Sequence, residues 1–149
     1  MYILILVQLS NGGAKFWVLF VDEATGYKKS YFIKKKSEIR QIGEKHLDFL
    51  ETNGITITKF RCDDAGENKV FANWLEKSRF NIQMEFTGAA TPQQNGVVER
   101  AFSTLTGIMR AMMKEAGLAE ELKYKLWAEC MNTVTDLDGL LISKERRKE

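Results

Sequence analysis

The stretch RCDDAGEN, Arg61 to Asn68, gathers three carboxylates around one glycine just after a strand-like run. Such a cluster is either a solvated acidic turn or one arm of a metal site completed from elsewhere in the chain. A two-metal phosphoryl-transfer site needs carboxylates from separate elements meeting at one point. Two hard cations about 4 Å apart must be held by oxygen ligands while the attacking and leaving oxygens keep room. Asp63, at the end of an expected central strand, is one candidate ligand. Glu99, at the start of an expected long helix just after TPQQNG, is the other. Thirty-five residues lie between them, and with 20 acidic residues in the chain that offset alone discriminates little. In isolation Glu99 reads equally as a helix-start carboxylate stabilised by the helix dipole.

The elements that would position these acids follow from pattern. MYILILVQL reads as a strand, SNGG as a turn and KFWVLFVD as a buried strand, because it is nearly continuous apolar and aromatic. Ala24-Thr25-Gly26 turns the chain, and YKKSYFIKK returns, making a three-stranded antiparallel meander. Ser37 offers a helix N-cap, with Ile39, Ile42, His46 and Phe49 at helical spacing and Asn53-Gly54 as the stop. His46 lies on or beside that apolar stripe and reads as a packed histidine. ITITKFRCD is a β-branched strand reached through this crossover helix, which suggests parallel pairing. A short helix over Val70 to Lys77, a strand NIQMEF and a loop TGAATPQQNG follow. Val98, Phe102, Leu105, Met109 and Met112 mark one long helix, and Leu122, Leu126, Cys130 and Val134 a second. The expected architecture is therefore α/β: a mixed sheet, its antiparallel meander extended by parallel strands, flanked by helices.

Bulk properties exclude little but usefully. The 149 residues amount to one domain, with 44% hydrophobic and 28% charged residues and a net charge of +2. No apolar run is long enough to span a membrane, and MYILILV lacks the basic leader and cleavage site of a signal peptide. Cys62 and Cys130 have no paired-cysteine or cysteine–histidine spacing, so a zinc site is not expected and a reduced, intracellular compartment is. The basic clusters KKSYFIKKK and KERRKE suit either a solvated edge or phosphate contact.

TPQQNGVVER, preceded by RCDDAGE, resembles the catalytic core of copia-type LTR-retrotransposon integrases. The likeness runs through KFWVLFVDEATGYKKSYFIKKKSE, AFSTLTGIMRAMMKEAGL and LWAECMNTVTDLDGLL in the expected order. The resemblance implies a ribonuclease-H-like fold and an Asp, Asp, Glu triad holding Mg²⁺ or Mn²⁺. It implies processing of DNA ends and their joining to target DNA. Asp63 matches the second aspartate of that triad and Glu99 its glutamate. Gln93, Asn95 and Gly96 match the segment that closes over the DNA end, with Arg100 beside it; Gly66 and Glu67 match the turn. The implied partners are DNA (element ends and target), other Pol polyprotein segments and further copies of the chain, with no membrane. The implied location is the nucleus or a cytoplasmic virus-like particle. The integrase-core-like domain would cover residues 1–143, its first strand truncated or degenerate, before a charged tail over 144–149.

Two departures from the family pattern matter. The family's first aspartate lies on the first strand, yet MYILILVQLSN contains no acid; the first carboxylate in the chain is Asp22, whose context VDEATGY matches the end of the second strand. Asp63 and Glu99 alone would hold one ion weakly, so the expectation is an impaired enzyme. The alternative is a non-catalytic nucleic-acid-binding or self-associating remnant. Second, Ser103 and Thr106 stand where retroviral relatives carry basic residues, which leaves Arg100, Arg110 and the lysines of the first basic cluster for phosphate contact.

Overall fold

FWVLFV has no polar residue to turn toward water, and the chain covers it on both faces. The computed structural model describes residues 2–5, 9–87 and 92–146, with side chains over 9–87 and 96–141. In it this run is strand β2 (Phe16–Val21), flanked in an antiparallel sheet by β1 (Tyr2–Ile5) and β3 (Lys28–Ile33). Ile5 stands opposite Phe16, and Val21 opposite Lys28. The β2–β3 hairpin turns at Gly26, whose φ of 68° lies in the region open to glycine. Asp22 braces that turn: its carboxylate accepts the backbone N–H groups of Ala24 (3.3 Å) and Thr25 (3.0 Å).

Alternation along β2 divides the interior in two. Val18 and Phe20 face a core shared with Ile33, α1 (Ile39–Thr52), α2 (Gly66–Leu75) and β4 (Lys59–Asp63). Trp17 and Leu19 face a second core, built with α3 (Pro92–Glu115) and α5 (Trp127–Arg146). β4 pairs in parallel with β5 (Gln83–Thr87), aligning Asp63 with Thr87. The short α4 (Glu120–Lys125) precedes α5. The architecture is thus mixed α/β, with helices on both faces of the meander and α1 and α2 packed on the core side of β4. Among the described residues no ladder joins β4–β5 to the meander. The two are tied by Phe20 packing edge-on against Phe60, ring centres 5.5 Å apart, and by an ion pair from Arg61 to Glu23 at 3.0 Å.

Several boundaries differ from expectation, each for a local reason. Ile55 and Thr56 are exposed and only Lys59–Asp63 is strand, so β-branching alone did not make the earlier residues pair. Ser37 makes no cap. A single 3-10 turn, Lys36–Glu38, leads into α1, and the Glu38 carboxylate accepts the Lys35 N–H at 2.9 Å. The far end of α1 closes as expected: Gly54, φ 71°, donates to the Glu51 carbonyl and Ile55 to that of Leu50, both at 2.9 Å. PQQNG is helical rather than loop: α3 begins at Pro92, a residue whose fixed φ and missing N–H suit a first helical position. The final helix is broken at Leu126 into α4 and α5. No helix among the described residues is long and apolar enough to cross a membrane.

His46 is core, as its spacing suggests. It stacks on Phe20 with ring centres 4.1 Å apart and meets the Tyr31 hydroxyl through Nδ1 at 3.2 Å. Burial, then the nearby Lys29, lowers its pKa from 6.5 to about 4. The unfolded chain therefore binds the proton first, so this stability is complete above pH 6.5 and is lost as pH falls toward 4. The expected loss is about 3 kcal/mol, read by urea unfolding across that range, and His46→Phe should flatten it. Gly43 meets α2 with no room to spare: a Cβ there would lie 2.3 Å from the Phe71 ring. Gly43→Ala should therefore cost about 1–3 kcal/mol in the same assay.

Candidate metal and nucleic-acid site

The acidic segment occupies the turn from β4 into α2. Asp63 ends the strand, half-buried. α2 starts at Gly66 behind Ala65, which supplies no side-chain cap. Asn68, in the first turn, faces inward with Phe71, Ala72 and Leu75 and is wholly buried. Its Nδ2 donates to the Asp63 carbonyl at 3.3 Å and also to the Asp63 carboxylate. The Asn68 Oδ1 is buried with no partner among the described residues. Asp64 pairs with Lys69 at 3.1 Å, both exposed. Glu67 pairs with Lys36 at 2.8 Å; that bond, helped by the Glu67 backbone N–H, holds its carboxyl below the usual range. Each carboxylate of the segment therefore has a partner inside the β4–α2 neighbourhood or on the turn before α1. Next to Asp63, Cys62 is an inert core thiol, pushed by burial up to about 11.

Glu99 lies in the third turn of α3, not at its start. It is exposed and has no charged partner among the described residues. Ala101 and Leu105 carry the buried stripe of α3, while Glu99 shares its face with Ser103, Thr106 and Arg110. Arg100 is exposed. Gly96 is a half-buried helical glycine, and a Cβ there would touch nothing among the described residues. Gln93 and Asn95 belong to the α3 backbone, but their side chains lie outside the described residues. Asp63 and Glu99 share no bonding partner among the described residues. No three His, Cys, Asp or Glu side chains among the described residues converge to hold a metal ion. Asp22 has its carboxylate in the hairpin turn. Among the described residues the donor set does not fit a two-metal centre.

The first basic cluster is also partly committed, and the side chains of the second, 144–149, lie outside the described residues. Lys28 binds Asp138 of α5 at 2.6 Å, the two side chains only 14% and 15% exposed, and Lys29 reaches Asp136 at 3.9 Å. With Lys36 held by Glu67, Lys34 and Lys35 are the exposed lysines of that cluster without an ion pair among the described residues. Sequence reasoning missed Asn68. The available signal was a polar residue on the inward face of a helix, spaced three and four residues from Phe71 and Ala72.

No family model matches the chain. It is similar to the retrovirus-related Pol polyprotein from transposon TNT 1-94 of Nicotiana tabacum, 32% identical over 127 residues, which is 83% of this chain and 9% of that protein. It is also similar to the retrovirus-related Pol polyprotein from transposon RE1 of Arabidopsis thaliana, 32% identical over 93 residues, 62% of this chain and 6% of that protein. The homologues are thus Pol polyproteins of plant transposons, of which the chain spans less than a tenth.

The two kinds of ion pair should separate experimentally. Asp138→Ala strands a largely buried ammonium and should cost about 2 kcal/mol by urea unfolding. Asp64→Ala removes an exposed pair and should stay within about 0.5 kcal/mol.

Proposed function

We propose that this chain is the integrase catalytic core of a copia-type retrotransposon Pol polyprotein. In this reading it has a ribonuclease-H-like fold, binds nucleic acid and is impaired in joining chemistry. The observation that carries it is the 32% identity over 83% of the chain to a transposon Pol polyprotein. The specific strings TPQQNGVVER and RCDDAGE support it, as does an antiparallel meander, covered by helices on both faces, followed by a parallel strand pair. The family's reaction is phosphoryl transfer with a pair of Mg²⁺ or Mn²⁺ ions. Asp63 and Glu99 stand at two of its ligand positions, and the first-strand position has no carboxylate here. DNA ends and target DNA are the proposed partners, met by Arg100, Arg110, Lys34 and Lys35, with Gln93, Asn95 and Gly96 near the DNA end. The nucleus or a cytoplasmic particle is the proposed location, with other Pol segments and further copies as company.

A second reading, a non-catalytic nucleic-acid-binding or self-associating remnant, is favoured by the commitment of every acid in the β4–α2 turn. One experiment addresses both. The purified chain is tested for Mn²⁺-dependent joining of labelled DNA ends, and for duplex binding by fluorescence anisotropy across a salt series. We expect no joining, but binding that weakens steeply with salt, with Arg100→Ala and Lys35→Ala each flattening the slope by about one. Joining that disappears in Glu99→Gln would refute the impairment. Absence of DNA affinity even at low salt would refute the nucleic-acid reading.

A further inference from the structure

Carboxylates grouped to hold cations repel one another when no cation is bound, so a metal site tends to destabilise its empty protein. Asp63 is placed differently. Its carboxylate and its main-chain carbonyl both receive the amide of Asn68, a side chain 0% exposed. That arrangement carries a penalty, because the Asn68 carbonyl oxygen is left buried without a partner among the described residues. An apolar residue would avoid the penalty at a position whose neighbours Phe71, Ala72 and Leu75 all face the core. Among the described residues, the side-chain bonds that offset it are those to Asp63. They do a job that is otherwise undone: Ala65, at the N-cap of α2, has no side-chain oxygen, so nothing else of that kind ties the first turn to the strand.

We propose that in this chain Asp63 is a structural clamp rather than a metal ligand. With Asn68 it fastens the first turn of α2 to the end of β4. The Asn68 amide takes one acceptor site on the Asp63 carboxylate, while Asp64 and Glu67 are turned to Lys69 and Lys36. This deepens the functional reading above and rests on it only for the role that Asp63 gives up.

The test is thermal unfolding in EDTA of the natural chain and of Asp63→Ala, Asn68→Ala, their double variant and Asp63→Asn. Each alanine variant should melt about 4 °C lower, and the double variant should melt near the worse single rather than at the sum. Asp63→Asn keeps an acceptor oxygen for the Asn68 amide and should melt with the natural chain, which keeps the test open if an alanine variant does not fold. Millimolar MnCl₂ should leave the natural melting temperature unchanged. The clamp is overturned if Asp63→Asn or Asp63→Ala melts higher than the natural chain in EDTA. It is equally overturned if Mn²⁺ raises the natural melting temperature and the rise vanishes in Asp63→Asn. The functional reading fails separately: a chain with this melting pattern and no DNA affinity loses its integrase assignment and keeps its clamp.

Discussion

Strand β2 must be covered on both faces, and the rest of the molecule is arranged to do it. Trp17, Val18 and Leu19 are wholly buried and Phe20 nearly so, each side chain worth roughly 1.5–3 kcal/mol of burial. One layer of helices cannot cover both faces, so α1 and α2 take one side and α3 and α5 the other. Burying Trp17 also requires an acceptor for its indole N–H. The Ser30 hydroxyl provides it at 2.8 Å, lies 2.6 Å from the Thr135 hydroxyl, and Thr135 in turn donates to the Met131 carbonyl at 2.8 Å. This chain of hydroxyls locks α5 to the sheet, and Lys28–Asp138 repeats the tie at the start of β3. The β4–α2 turn bearing Asp63 and the helix bearing Glu99 thus belong to opposite layers and are placed by the same strand.

That division bears directly on the proposed metal centre. A two-cation centre would need carboxylates from β1, β4 and α3 to meet at the strand ends. β1 brings none as far as the sequence up to Val21 extends. The acids near β4 are turned to Asn68, Lys69 and Lys36, and Glu99 stands exposed on its helix. The Asp63–Asn68 contact spends two polar side chains on holding the β4–α2 turn together.

The parts legible in the sequence were those carried by strong local patterns. FWVLFV announced a strand buried twice over, Gly26 its hairpin, Gly54 the end of α1, and the spacing of His46 its place in the core. Where local signals competed, the sequence misled. PQQNG is loop-like in composition, yet Pro92 starts a helix; ITIT is β-branched, yet most of it stays unpaired at the surface. Contacts across long separations were illegible in principle: nothing near Lys28 marks Asp138 as its partner, so a half-buried structural lysine looked like a phosphate contact. For the site, Asp63 and Glu99 were identified by resemblance rather than by physics. Asn68, which decides the surroundings of Asp63, was hidden in a stretch that read as turn.

Whether the chain holds a metal centre is the deciding question, and Mn²⁺ binding measured by electron paramagnetic resonance on the natural chain addresses it without requiring activity. A chain whose acids are committed as described should show only weak, nonspecific loss of the free-ion signal, the same in Asp63→Asn and in the natural protein. Saturable binding of two ions per chain, abolished by Asp63→Asn or Glu99→Gln, would contradict it.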